Sequence, residues 1–225
     1  MDLLSIHNLA KSYPKKKLFD QLHLQVETGQ IIGLVGENGA GKSTLLSILA
    51  SLITPDSGTV TFNGISYSER NKIRKEIGYV PQELSLWENL TVEENMLYFS
   101  KLSWGNISLQ QCQQLCQQMQ LTQWKEKCAN LSGGMKRKLN IAISLIHNPN
   151  LILLDEPTVG IDMRSKEEIG LYLKRLAKEQ QKTIIYTSHD MNEIESYCDH
   201  VYIIGQDPFY YDFLAARGVQ VTRLQ

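Results

Sequence analysis

Short, mainly apolar runs of four or five residues, some continuous and some alternating, recur along the chain, at 3–6, 22–26, 31–35, 59–62, 77–80, 151–154, 183–186 and 201–204. Runs this short and this apolar predict strands buried on one or both faces. Asn63-Gly64 follows one of them and predicts a hairpin turn, because both residues tolerate positive φ. Between the later runs the period changes. Leu45, Leu46, Ile48, Leu49 and Leu52 predict a helix after Gly41, and Ile169, Tyr172, Leu173 and Leu176 predict another. Ser165 and Glu168 have the spacing of a capping box at the start of the latter.

The stretch from about 83 to 130 carries no strand pattern. Thr91 and Glu94 predict a capping box opening a helix through Met96 and Phe99, and Ser108 with Gln111 predicts a second. Leu109, Cys112, Leu115, Cys116 and Met119 fall on one face of that second helix, so the glutamine-rich run reads as amphipathic rather than disordered. Residues 83–103 also hold Leu84, Leu86, Trp87, Leu90, Met96, Leu97, Tyr98 and Phe99. One helix can turn only part of these inward, which predicts an exposed apolar groove near 84–90. The expected architecture is α/β in one domain, 1–225: a parallel-sheet core, an N-terminal antiparallel β part, and an all-helical insert at about 83–147. The residues from Gln206 onward show no interpretable pattern.

Composition narrows the class. The 225 residues are 42% hydrophobic and 21% charged, which excludes a disordered, collagen-like or disulfide-scaffold chain. With 24 acids against 23 bases and no long like-charged run, no nucleic-acid partner is indicated. Lys15-Lys16-Lys17 reads as an exposed loop. No window of 18 apolar residues spans a bilayer, and the N-terminus lacks a secretion signal. The four cysteines contain no Cys-x-x-Cys pair. Cys112 and Cys116 leave two readings, a metal pair or a face of half-buried thiols; the thiols suit the helix and a reduced, cytosolic setting.

Gly36-Glu37-Asn38-Gly39-Ala40-Gly41-Lys42-Ser43-Thr44 fits G-x-x-x-x-G-K-[ST], with a predicted strand before it and a predicted helix after it. Such a loop wraps backbone N–H groups around phosphate oxygens at a helix N-terminus, where the dipole is positive. Lys42 is the candidate contact to the β- and γ-phosphates and Ser43 a candidate Mg²⁺ ligand. The apolar run 151–154 ends in Asp155 and Glu156. Two adjacent carboxylates at the end of a buried strand are costly unless a cation sits there, and Asp155 is placed to hold Mg²⁺ directly or through water.

Between these motifs lies Leu131-Ser132-Gly133-Gly134-Met135. In this order the three motifs resemble those of the ATP-binding cassette (ABC) ATPases, over roughly residues 3–204. The resemblance implies a P-loop NTPase core that binds and hydrolyses ATP with Mg²⁺. It implies roles for further residues: Tyr13 as the ring stacked on adenine, Gln82 as contact to Mg²⁺ and the attacking water, Glu156 as general base, and His189 as contact to the γ-phosphate. Residues 159–162 resemble the loop that meets its twin across a dimer. It also implies a head-to-tail dimer in which Ser132, Gly133, Gly134 and Met135 of one chain close on the ATP held by Lys42 of the other. Met135 stands where glutamine is more usual; the Ser132 hydroxyl and the backbone N–H groups remain, which favours retained activity.

The segment 158–162 resembles short single-cassette exporter subunits of drug and bacteriocin resistance systems. The expected partners are a second ATPase subunit, identical or not, and a separate integral-membrane permease. The expected location is the cytoplasmic face of the membrane. The other reading is a soluble, non-transport cassette ATPase of the Fe–S assembly or ribosome-associated type.

Overall fold

The computed structural model describes residues 2–14, 16–104 and 107–224; Lys15 of the lysine cluster, Met1 and Gln225 lie outside them. In chain order the strands are β1 (Asp2–Tyr13), β2 (Lys16–Glu27), β3 (Ile31–Val35), β4 (Ser57–Phe62), β5 (Ile65–Ser66), β6 (Ile77–Val80), β7 (Leu151–Leu154), β8 (Thr183–Thr187), β9 (His200–Ile204) and β10 (Val221–Leu224). β1, β2, β4 and β5 form an antiparallel sheet, in the order β2-β1-β4-β5, and the other six a parallel sheet, β10-β9-β3-β8-β7-β6. Asn63 and Gly64 both take positive φ in the β4–β5 hairpin, as a two-residue turn of this type requires. β1 and β2 run 12 residues each, longer than their apolar runs, because register shifts carry the pairing past the apolar stretch.

Strand alternation sends side chains of the parallel sheet into two cores. Ile32, Leu34, Leu151, Leu153 and Ile185 pack with Leu45, Leu46, Ile48 and Leu49 of α1 (Lys42–Leu49) and with the inner face of the antiparallel sheet. Ile31, Val35, Ile152, Leu154, Ile184 and Tyr186 face the opposite side. A short α2 (Arg70–Ile73) joins the two sheets. The helical insert holds α3 (Val92–Leu102) and α4 (Leu109–Gln118), each opened by a complete capping box, at Thr91/Glu94 and Ser108/Gln111. Cys112, Cys116 and Cys128 are buried free thiols there.

Near the expected groove at 84–90 the structure exposes an aromatic patch. Trp87 and Tyr98 meet edge to face at 5.7 Å and both are exposed, as are Leu84 and Leu102. Leu86 and Phe99 turn in against the core, so the apolar residues divide between inside and outside.

α5 (Gly133–Ser144) begins directly after Ser132, which caps it, accepting from Met135 N at 3.2 Å. α6 (Met163–Gln180) follows β7, and α7 (Met191–Tyr197) follows β8. The box expected at Ser165 and Glu168 does not form. Asp162 caps α6, accepting from Ser165 N at 2.9 Å and Ser165 Oγ at 2.7 Å. Glu168 is instead engaged by Lys138 and, at 2.8 Å, by Arg164. A charged acceptor already serves the helix start, and a charged donor pair takes the glutamate. The uninterpreted C-terminal stretch forms α8 (Pro208–Ala215), capped by Asp207 with Pro at its first turn, and then β10, which extends the parallel sheet beside β9. No helix among the described residues is long and apolar enough to cross a membrane.

Candidate active site

β3 lies third in the parallel sheet, and its carboxyl end delivers the chain into loop 36–41 and then α1. Gly36 sits against β9, where a Cβ would collide with the Ile204 carbonyl oxygen; only glycine lets the backbone pass. Lys42 is buried, and its ammonium donates to Gly36 O at 2.7 Å and Glu37 O at 3.1 Å. Burial pushes the Lys42 ammonium below its ordinary range, against the opposing pull of Glu156, Asp155 and Glu37. A cleft of about 470 Å³ opens over the loop, lined by Leu18, Asn38, Gly39, Gly41, Lys42, Ser43, Thr44, Gln82, Glu156 and His189. That volume suits a nucleotide-sized ligand, and the lining brings backbone N–H donors and an ammonium to one helix start.

β7 and β8 supply the carboxylates and their holders. Asp155 is 4% exposed, and its Oδ1 accepts from Thr187 Oγ1 at 2.9 Å. Glu156 takes a left-handed φ of 46°, a conformation costing about 1–3 kcal/mol outside glycine. Its backbone N–H donates to Thr187 Oγ1 at 2.7 Å. Its carboxylate is held from two sides, by Gln82 Nε2 at 3.0 Å and His189 Nε2 at 2.8 Å. Ser43, Gln82 and Asp155 offer oxygen donors of the kind a hard divalent cation takes, with room for water; the residues present fit Mg²⁺.

The structure therefore brings Asn38, Gly39, Gly41, Lys42, Ser43, Thr44, Gln82, Glu156 and His189 to one cleft, while Gly36, Glu37, Ala40 and Asp155 adjoin these residues in the chain without lining it. Ser132, Gly133, Gly134 and Met135 do not line it. They form the N-terminus of α5, with Ser132 and Gly133 exposed. Gly134 abuts the α6 cap so closely that a Cβ would overlap Ser165 Oγ. Tyr13 also stands apart, at the end of β1, with its ring 45% exposed and Lys11 Nζ 5.8 Å from the ring centre.

Several neighbours escaped sequence reasoning. Lys16 Nζ reaches Gly39 O at 2.8 Å. Leu18 forms a wall of the cleft, and Thr187 holds both carboxylate-bearing residues. Arg137 of α5 donates to Pro81 O at 2.9 Å and Gln82 O at 2.6 Å, so the glutamine loop hangs from the helix that Ser132 begins. Only Thr187 carried a signal, as a hydroxyl ending an apolar strand directly before Ser188-His189.

A profile described as ABC transporter matches residues 19–159. The linearmycin resistance ATP-binding protein LnrL of Bacillus subtilis is 40% identical over 209 residues, covering 91% of this chain and 67% of that protein. ABC transporter A family member 7 of Dictyostelium discoideum is 35% identical over 209 residues, covering 90% of this chain. The chain spans only 25% of that relative's length. Among solved structures, a dimeric post-hydrolysis ATP-binding cassette bound to ADP and Pi superposes with a TM-score of 0.77 at 28% identity, over 89% of this chain and 94% of that one.

Proposed function

The chain belongs to the ABC transporter family, and from that premise we propose that it is the ATP-hydrolysing subunit of an exporter, acting as an ATP-bridged dimer beneath a separate membrane permease. The observation that carries the hydrolytic part is the Glu156 carboxylate, held between Gln82 and His189 at the mouth of the phosphate-loop cleft. The exporter part is supported by the likeness to the linearmycin resistance protein. The dimer is supported by the likeness to the ADP- and Pi-bound cassette dimer.

In this reading the loop 36–43 binds the triphosphate through its backbone N–H groups. Lys42 trades its bonds to Gly36 O and Glu37 O for phosphate oxygens. Ser43, Gln82 and Asp155 would hold Mg²⁺, which would supply positive charge against the phosphates. Glu156 accepts the attacking water's proton on a carboxylate oxygen, giving ADP and Pi. His189 Nε2, which touches that carboxylate, turns to the γ-phosphate. Ser132, Gly133 and Gly134 of the second subunit, at the positive end of α5, close the site from across the dimer. Loss of the γ-phosphate frees His189 and Gln82, and Arg137 passes the movement of the glutamine loop to α5. The permease fixes the subunit to the cytoplasmic face of the membrane.

The test is release of phosphate from MgATP by the purified chain. The specific rate should rise with protein concentration as dimers form. A rate per chain independent of concentration, or no release, would overturn the reading.

Two further outcomes are expected. Tyr13→Ala should weaken ATP binding by about 1–3 kcal/mol, the worth of one stacked base, with Tyr13→Phe near native; equal loss in both, measured by calorimetric titration, would remove the stacking role. Trp87→Glu should leave phosphate release by the isolated chain within twofold of native while the chain no longer co-purifies with its permease. Normal co-purification would place the docking surface away from the Trp87–Tyr98 patch.

A further inference from the structure

Glu193, on α7, lies outside the cleft and is 6% exposed. Three hydroxyls converge on its Oε2: Thr158 Oγ1 at 2.7 Å, Ser188 Oγ at 2.9 Å and Tyr186 OH. Thr158 and Tyr186 also touch each other at 3.1 Å. Oε1 faces the Lys166 ammonium of α6 at 3.1 Å. An apolar side chain of similar volume would hold α7 on the sheet without the cost of burying a charge. What the carboxylate adds is one fixed meeting point for three hydroxyls from different segments.

The segments matter. Thr158 is two residues past Glu156 and begins the exposed turn 159–162, which ends in the Asp162 cap of α6. Ser188 immediately precedes His189, and its hydroxyl also accepts from Asp190 N at 3.0 Å, so the histidine is bracketed by bonds through one side chain. Glu156 and His189 touch each other directly; behind them, their flanks are joined a second time through Glu193.

We propose that Glu193 is a positioning residue for ATP hydrolysis. It ties the histidine loop to the 158–162 loop, so that Glu156 and His189 keep their mutual placement and a shift of His189 moves 158–162 with it. It is not among the residues that line the cleft. The turnover readout rests on the ATPase reading above; the exchange readout does not.

The test compares Thr158→Val, Ser188→Ala, their double variant and Glu193→Gln in the full chain. Each single change should lower kcat about fivefold, the scale of one net hydrogen bond, with KM for ATP within twofold of native. The double variant should be no slower than either single, because cutting either tie breaks the same link. Independent packing contributions would multiply to roughly 25-fold, and that result would overturn the proposal. So would native turnover in all three single variants, or a rise in KM at constant kcat.

Amide exchange at 158–162, measured without nucleotide, should quicken in Ser188→Ala and Glu193→Gln while α1 stays native. Uniform quickening along the chain, or none, would also overturn it. If Glu193→Gln fails to fold, the Thr158/Ser188 cycle decides. If the native chain shows no turnover that Glu156→Gln removes, the ATPase reading has failed, and the exchange arm still decides for Glu193.

Discussion

Glu156→Gln should bind ATP as tightly as the native chain and hydrolyse it about 10²–10⁴-fold more slowly, the range expected for loss of a general base. The amide keeps the shape of the side chain and an oxygen to accept from Gln82 Nε2. What it loses is the proton-accepting charge at the mouth of the cleft. The left-handed backbone at 156 and its bond to Thr187 Oγ1 do not involve the side chain, so the fold should be untouched. With hydrolysis blocked, ATP should hold two chains together. Gel filtration with MgATP should show a dimer that disappears with ADP, alongside the lost phosphate release. Turnover within threefold of native would remove Glu156 from the role of base.

Lys42→Ala should act one step earlier, on binding. Its ammonium bonds two loop carbonyls, and it is already buried in the folded chain, which pushes the ammonium below its ordinary range. A charged hydrogen bond is worth about 1.5–3 kcal/mol, so affinity for ATP should fall about 10- to 150-fold. Unchanged affinity in a calorimetric titration would contradict a phosphate-binding loop at 36–44.

Much of this was legible in one dimension. Strands buried on both faces, such as Ile31–Val35 and Leu151–Leu154, leave an unbroken apolar run. A loop that must wrap anions leaves glycines at set spacing. What was not legible depends on encounters between distant segments. Thr187 meets Asp155 and Glu156 only because β8 pairs with β7 in one register. Leu18 and Lys16 reach the cleft because the β1–β2 hairpin leans over it. Asp162, not Ser165, caps α6, because Glu168 is paired with Lys138 and Arg164, and Lys138 comes from the distant α5. β10 hid for another reason: an edge strand of four residues, with burial strong only at Leu224, has too little alternation to register.

The absent side chain at Gly134 has a mechanical consequence. α5 meets the α6 cap there with nothing in between. Four residues on, Lys138 is paired with Glu168 of α6, and between them Arg137 grips the carbonyls that follow β6. Within the stretch 83–147, α5 is thus a strut pinned to the sheet-bearing body, linked toward α3 by the Lys136–Glu88 pair on its outer side. Val92 and Met96 of α3 and Cys112 and Cys116 of α4 share one buried core with Leu139 and Ile141 of α5, so α5 is the mount through which α3, α4 and the Trp87–Tyr98 patch are carried on the sheet.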